Sequence, residues 1–500
     1  MPTAPSLRRI RSSLACVLIL FAAGCGESPG TLEPDTIVPA TIALASDDLV
    51  LMERDSVFLV AVVRDSAGAV LESQLVTWKS TKPDVAVVRA DGVVIALGIG
   101  TARIVAAAET AEDSVSVNVQ ALFHSISAGA SHTCAVSTTH NAYCWGEGAL
   151  GRRGDGTDAR RSSPVLVRGS HKLRDLSAGL GTTCGVGRSG AFCWGNNGSG
   201  QLGRGKKGDT WTPARIAPFQ SLGLALVSVN TRHACGVVAE GGTALCWGSD
   251  FAGQLGDGYM PSSRLPTVVA GGLNFTSVDV GMWFSCGVTM EGHAYCWGLG
   301  DKGQLGQTQV TEVCGDLDGT KHPCSSVPAR VVSELTVSSL TTGSEHVCML
   351  TPEGAAYCWG DNAAGQLGDG TTVSTDTPVP VIGDLRFVEL TGGDRHTCGL
   401  TGDGTAYCWG SNSKGALGSA GTFDNCDGRL CSMMPAPVTG GLRFKLLSAG
   451  RGPGGSHTCG VTPSGVAYCW GNNKAGQLGG GSSGGIKMEP VLVVGQPVEY

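Results

Sequence analysis

The sequence predicts an all-β protein in two parts, a small N-terminal sandwich followed by a seven-bladed β-propeller. Three observations carry that prediction. The tripeptide Cys-Trp-Gly recurs seven times, with its tryptophan at Trp145, Trp194, Trp247, Trp297, Trp359, Trp409 and Trp470. Glycine fills 77 of the 500 positions, about twice its usual share, and suits a chain of short strands because it turns without steric penalty. Helix-period patterns are nearly absent, whereas short period-two runs are frequent.

The tryptophans are spaced by 49, 53, 50, 62, 50 and 61 residues, a base period of about 50 with two insertions. Periods of that size mean propeller blades or solenoid turns. The sixth unit reads Phe387-Val388-Glu389-Leu390, then His396-Thr397-Cys398-Gly399-Leu400, a Gly402-Asp403-Gly404 turn, and Ala406-Tyr407-Cys408-Trp409-Gly410. A Gly-x-Leu-Gly turn and a Pro-led strand complete each unit, as in Gln366-Leu367-Gly368 and Pro378-Val379-Pro380-Val381. Four short strands per unit make one blade.

The unit resembles the repeat of the regulator of chromosome condensation family in its His-Thr pair, its Trp-Gly strand and its Gly-Gln-Leu-Gly turn. That turn occurs at 200–203, 253–256, 303–306, 365–368 and 476–479, with Gly415-Ala416-Leu417-Gly418 a near match. The resemblance covers about 375 residues of residues 121–500 and implies the propeller fold. It does not imply one function, because a fold of this kind hosts unrelated activities.

Residues 1–24 read as a leader, with Arg8, Arg9 and Arg11 ahead of the apolar run Leu14 to Ala23. That run is too short to span a bilayer, so it predicts a signal peptide. Ala22-Ala23-Gly24-Cys25 resembles the lipobox of bacterial lipoproteins, which implies acylation of Cys25. Residues 25–39 form a predicted tether. From 40 to 120, runs such as Val57 to Val63 and Ser114 to Val119 alternate between Asp-Gly and Ser-Ala-Gly turns, predicting a small antiparallel sandwich. Within it, Val76-Thr77-Trp78-Lys79-Ser80, Pro83-Asp84-Val85-Ala86-Val87-Val88 and Gly98-Ile99-Gly100-Thr101-Ala102 resemble the bacterial immunoglobulin-like domain of group 2. The resemblance implies an immunoglobulin-like stalk module.

Of the 20 cysteines, Cys16 lies in the leader and Cys25 at the lipobox. Fourteen others fall one pair to a blade: Cys134 with Cys144, Cys184 with Cys193, Cys235 with Cys246, Cys286 with Cys296, Cys348 with Cys358, Cys398 with Cys408, and Cys459 with Cys469. Residues equidistant from a hairpin turn lie opposite each other on adjacent strands, within disulfide reach. Cys314 with Cys324 and Cys426 with Cys431 sit inside the two insertions and would close those loops. Disulfides fit an exported chain, since oxidising compartments preserve them.

Metal and catalytic motifs fare less well. His-x-Cys precedes the pair at His132, His233, His346, His396 and His457, but each blade offers at most three ligands and structural zinc needs four. Thr182 and Phe284 replace the histidine where the cysteines persist, so the histidines are expected to be structural. Gly480 to Gly484 fits Gly-x-Ser-x-Gly without a following helix. Gly200 to Lys206 starts like a phosphate loop, but Lys207 stands where a hydroxyl must hold magnesium. Asp316-Leu317-Asp318-Gly319 and Asp424-Asn425-Cys426-Asp427-Gly428 cluster oxygens beside glycine, as calcium loops do, without the twelve-residue pattern. Arg153-Gly154-Asp155 matches an integrin-binding tripeptide in an ordinary turn slot. No cofactor and no catalytic residue is expected.

The formal charge of −7 becomes −10 once the three leader arginines are set aside, which argues against a nucleic-acid partner. The sequence therefore points to an exported, lipid-anchored cell-envelope protein, held to the membrane by its anchor alone, that binds a protein or envelope partner. An enzyme inhibitor is the alternative the propeller resemblance implies, and guanine-nucleotide exchange a weaker one, given export. The binding surface is expected on the face that carries the insertions at 307–327 and 419–434, with Arg152, Arg153, Arg160 and Arg161 adding a basic edge.

Overall fold

A computed structural model describes residues 38–498 apart from 47, 170, 218–222, 316–319 and 422. The leader, Cys25, nearly all of the tether and the Asp316 to Gly319 cluster lie outside the described residues. Among those described, the only helical element is one 3-10 turn at Ala149–Gly151.

The N-terminal module holds nine strands between Thr41 and Gln120. Leu49–Met52, Ala111–Gln120, Gly100–Ala108 and Thr77–Ser80 form one sheet in that order. Ser56–Phe58, Val93–Ala96 and Ala86–Val88 form a second, and Thr41–Leu44 pairs with Ala61–Arg64 in a third. Period-two alternation turns Val115, Val117 and Val119 inward, where they are buried with Leu59, Val94 and Ile104. Leu49–Met52 runs parallel to Ala111–Gln120, so the module is not wholly antiparallel as expected. The two strands stand at opposite ends of the module's sequence, and no hairpin forces them to reverse.

From residue 123 the chain is a β-propeller. Phe123–Ala128, His132–Ser137, Ala142–Gly146 and Arg161–Leu166 make an antiparallel sheet in sequence order. Six more sheets of this kind follow among the described residues, the last built from Leu446–Ala449, His457–Val461, Ala467–Asn472 and Ile486–Leu492. Within each sheet the strands are called inner, second, third and outer.

Three layers of contact between neighbouring sheets explain why the repeat reads as it does. All seven repeat tryptophans are buried. Trp247 Nε1 donates to the Gln201 carbonyl of the preceding Gly-Gln-Leu-Gly turn at 2.8 Å, and Trp145 donates to Gln477 of the last turn at 2.8 Å, which joins the seventh sheet to the first. Gly203 ends its turn at φ +64, and a Cβ there would lie 2.9 Å from Trp247 Nε1, so both backbone and space require glycine.

The second layer is a clasp. Nε2 of His132, His233, His346, His396 and His457 lies 2.8–3.0 Å from the hydroxyl of Thr183, Ser285, Thr397, Thr458 and Thr133 in the next sheet. Where the histidine is lost, the hydroxyl is lost with it. Thr182 is followed around the ring by Ala234, and Phe284 packs with Val347 in one apolar cluster. Four of the five Nδ1 atoms have no hydrogen-bond partner, and burial lowers all five pKa values, to about 3 at His233, His346, His396 and His457. The rings are neutral structural groups.

The third layer lies on the inner strands. Ser127, Ser177, Ser228, Asp279, Thr341, Thr391 and Ser448 each accept a backbone N–H from the next inner strand at 2.8–3.3 Å, ending with Ala128 N on Ser448 Oγ at 2.9 Å. Asp279 is the one acid in this ring of hydroxyls.

Candidate functional site

Strand direction sorts the loops. Successive antiparallel strands reverse, so the inner-to-second loops and the Gly-x-Leu-Gly turns leave from one face, here the upper, and the second-to-third hairpins from the lower.

The lower face is covered in part by the N-terminal module. Glu53 is buried and accepts hydrogen bonds from Ser137 Oγ at 2.7 Å and Tyr143 OH at 2.6 Å, and also from Thr139 Oγ1 and Asn141 Nδ2. Burial first, and the Glu53 charge second, raise the Tyr143 pKa. Arg54 adds a bond to the Thr139 carbonyl at 3.2 Å. Beside this joint a cavity of about 700 Å³ opens between Asp84, Ile99, Arg168, His171 and Lys172.

The upper face is where the chain departs from its repeat. Seven residues separate Ala449 from His457, where three separate Ala128 from His132. The extra chain reaches across the axis. Arg451 pairs with Asp279 of the fourth sheet and lies 3.4 Å from Ser228 Oγ. Gly452 N donates to Ser344 Oγ at 3.2 Å, and Gly454 N to Asp394 Oδ2 at 3.3 Å. Burial raises the Asp394 pKa, and burial with Asp361 and Asp301 raises that of Glu345 on the adjoining loop. Deeper on the inner strands burial pushes Glu389 up to about 7. A cleft of about 540 Å³ runs beside the plug, lined by Glu147, Arg160, Pro453 and Lys474.

Across the plug stands an aromatic cluster. Trp283, half-buried, meets the Phe251 ring edge-on at 4.8 Å, and the exposed Arg232 guanidinium lies 5.4 Å from its ring centre. Tryptophan and arginine dominate binding energies at protein interfaces.

Both insertions also rise from this face, as hairpins rather than loops. Glu312–Gly315 pairs with Lys321–Arg330, and Asp424–Cys426 with Arg429–Pro437, adding a fifth strand to the fourth and sixth sheets. Cys314–Cys324 and Cys426–Cys431 staple them at Cα separations of 5.8 and 5.9 Å. They carry exposed Val313, Leu430 and Met434. Asp424 Oδ2 accepts Met433 N and Asn425 Oδ1 accepts Gly428 N, so these oxygens serve the hairpin's own backbone.

The fourteen other cysteines meet in the seven second-to-third strand pairs, at Cα separations of 4.0–4.1 Å. Glu312, Cys314 and Cys324 converge as metal ligands do, but both sulfurs are spent in the disulfide and Glu312 accepts from Ser326. The basic edge is smaller than expected. Arg153 is wholly buried against Asp155 at 2.9 Å, which also withdraws the Arg-Gly-Asp tripeptide from any receptor. Arg152 is held by Ser131 and the Leu180 carbonyl, leaving Arg160 and Arg161 exposed. Gly480 to Gly484 is a turn whose Ser482 carbonyl accepts Asn473 Nδ2, and Gly200 to Gly203 is the turn under Trp247.

Residues 190–237, 291–350 and 353–400 match a model described as the regulator of chromosome condensation (RCC1) repeat. A second model of the same description matches 123–152, 337–366, 387–416 and 454–477. The chain carries RCC1 repeats. It is 30% identical over 255 residues to the ultraviolet-B receptor UVR8 of Arabidopsis thaliana, covering 50% of this chain and 56% of that one. To the E3 ubiquitin-protein ligase HERC2 of Mus musculus it is 28% identical over 302 residues, 57% of this chain but 6% of the ligase. The chain thus spans about half of the one relative and a small part of the other. Among solved structures, Prp20p of Saccharomyces cerevisiae, described with its binding to Gsp1p and histones, superposes with a TM-score of 0.62 at 21% identity, covering 72% of this chain and 87% of that one. Prp20 bound to Kap60 gives 0.61 at 20% identity, covering 75% and 84%. Likeness at that identity establishes the fold alone.

Proposed function

We propose that this chain is a protein-binding scaffold, not an enzyme, whose RCC1-repeat region closes into a seven-bladed propeller and takes its partner on the upper face. The observation that carries the reading is the Trp283, Phe251 and Arg232 cluster beside the Arg451 plug. A half-buried tryptophan braced by a ring and a guanidinium is the anchor that protein interfaces use, and the stapled hairpins add exposed apolar strand residues that lose little entropy on binding. Prp20p, similar in fold, is a protein described by what it binds. The strings that resemble catalytic motifs lie in turns whose backbone the propeller itself uses.

In this reading the N-terminal module is an immunoglobulin-like sandwich, and the leader exports the chain and anchors it to the cell envelope through Cys25. Its place is the outer membrane or cell surface. Labelling with a palmitate analogue is expected to mark the protein and to fail in Cys25→Ser; equal labelling of the variant overturns the anchor. For binding, the wild-type chain and Trp283→Ala are used as baits in envelope extracts. A partner retained by the wild type and reduced at least tenfold by Trp283→Ala supports the upper face, on the ~2 kcal/mol scale of an interface anchor. Equal retention by both baits overturns it.

A further inference from the structure

We propose that Asp250 and Asp257 hold a calcium ion in the turn joining Ala244–Gly248 to Ser263–Val268. The argument starts from what the other sheets place at that point. Asn197, Asn362, Asn412 and Asn473 occupy the position of Asp250, and in each the side-chain oxygen accepts the leucine N–H of the Gly-x-Leu-Gly turn at 3.0–3.2 Å. Asp250 Oδ1 does the same for Leu255 N at 2.8 Å. The difference lies in the other atom. Asn362 Nδ2 donates to Asp369 Oδ1, the Thr371 carbonyl and the Val373 carbonyl at 3.1–3.2 Å, Asn197 Nδ2 to the Lys206 and Gly208 carbonyls, and Asn473 Nδ2 to the Ser482 carbonyl. At those three positions an amide N–H₂ is surrounded by acceptors, whereas Asn412 Nδ2, in the sheet with the second insertion, has no hydrogen-bond partner.

In the third sheet that donor is replaced by an oxygen. Asp250 is wholly buried, and its Oδ2 has no hydrogen-bond partner. The surrounding turn keeps the conformation of the fifth sheet, because its bonds are the same. Asp250 N donates to Ser262 Oγ as Asn362 N does to Ser374 Oγ, and Tyr259 N donates to Asp257 Oδ1 as Thr371 N does to Asp369 Oδ1. By that register Asp257 Oδ1 and the carbonyls of Tyr259 and Pro261 take the acceptor places around Asp250 Oδ2. Oxygens facing oxygens need something positive between them. Burial pushes the Asp250 carboxyl up to about 8, with Asp257 adding to the rise.

Two carboxylates and two backbone carbonyls form an all-oxygen set, which suits a hard cation, and flexible carbonyl loops suit calcium better than the strict octahedron of magnesium. Calcium–oxygen distances of roughly 2.3–2.6 Å require these oxygens to draw in from the 3.1–3.2 Å at which the Asn362 amide of the fifth sheet meets its acceptors. Tyr259 is exposed, so the turn is open to solvent on its outer side.

The test uses the mature exported chain stripped with EGTA. Calcium is titrated calorimetrically, and terbium luminescence is excited through the tyrosine and tryptophan rings. One ion is expected to be lost, with affinity down at least tenfold, in Asp250→Asn and also in Asp257→Asn. Calcium is expected to raise the melting temperature of the wild type and not of Asp250→Asn. Without calcium, Asp250→Asn is expected to melt no lower than the wild type, because the amide restores the bonds seen at Asn362. Undiminished calcium binding by Asp250→Asn overturns the proposal, and so does a wild type with no calcium response, for then a proton fills the role. A response to sodium or magnesium equal to that to calcium overturns the choice of ion.

Discussion

The lower and upper faces of the propeller are made by the same strands and put to opposite use. On the lower face the hairpins are short and regular, and one of them is occupied by the chain itself through Glu53 and its four donors. On the upper face the chain spends extra residues at three places, the plug at 450–456 and the two stapled hairpins, and leaves Trp283 and Arg232 reaching toward solvent. A repeat fold has no preferred face of its own. The difference teaches that an internal joint fixes one side as an inside, and that the departures from the repeat collect on the other.

The largest expected effect removes the frame on which the comparison hangs. Five histidines are buried neutral, four of them with pKa values of about 3. Unfolded, each takes its proton near pH 6.5, so below that pH the unfolded chain binds more protons and stability falls until about pH 3. Each fully realised shift amounts to roughly 5 kcal/mol. Glu389 and Asp250, raised by burial to about 7 and about 8, and Glu345 and Asp394, also raised by burial, run the other way, their contributions being lost as pH rises from the ordinary carboxylate range through those raised values, but they are four groups against five. Melting curves from pH 7 to 4 are expected to shift steadily downward, and His346→Gln is expected to flatten the slope. A melting temperature independent of pH over that range contradicts the neutral clasp.

A smaller effect bears on the lower face alone. Glu53→Ala leaves four donors, Ser137 and Tyr143 buried and Thr139 and Asn141 partly so, without their acceptor and is expected to cost about 3–5 kcal/mol at the joint, whereas Glu53→Gln keeps part of the bonding and costs less. Calorimetry of Glu53→Ala is expected to separate one transition into two as the module comes off, with proteolysis newly admitted near Ala121. A single unshifted transition means that the module is held by other contacts.

How much of this was legible depended on whether a contact lies within one repeat or between repeats. The hairpin cysteines could be paired from their own unit, since register across a turn is local arithmetic, and Trp145 to Trp470 announce themselves by recurrence. The histidines were readable as structural, but not what they hold. Each partner hydroxyl belongs to the next sheet, and the signal is the joint loss at Thr182 with Ala234 and Phe284 with Val347. Arg451 and Asp279 are 172 positions apart and meet only because a closed ring sets the fourth and seventh sheets across the axis. The longer gap before His457 could have marked the loop, though not its destination. For Glu53 there was no signal, because one acid in an alternating strand region looks like any solvated residue. Arg153 misled for the reverse reason: charge in a turn reads as exposed, and here the turn is folded under.

The smallest effect on stability is expected from the features that most distinguish the upper face. The Cys314–Cys324 and Cys426–Cys431 hairpins add their fifth strand at the outer edge of a sheet, so replacing each with a short Gly-Asp-Gly turn of the kind seen at Gly368-Asp369-Gly370 removes no tryptophan, clasp or inner-ring contact. Either deletion, cut between Glu312 and Cys324 or between Asp424 and Cys431 so that Val310 and Phe423 stay packed against the Trp359 and Trp470 clusters, is expected to change stability by about 1 kcal/mol or less. Their exposed strand residues are a different matter. Val313 is 56% exposed and Leu430 52%, apolar groups that water solvates poorly and that the free chain does nothing to cover. If these residues frame the site around Trp283, each deletion weakens the partner retained by the wild type while the chain melts as before, and the double deletion weakens it further. Should both deletions leave binding unchanged while Trp283→Ala abolishes it, the partner sits on the axis and the hairpins are bystanders. Should Trp283→Ala be silent and the deletions decisive, the site lies at the rim, and the comparison of the two faces survives with its centre moved outward.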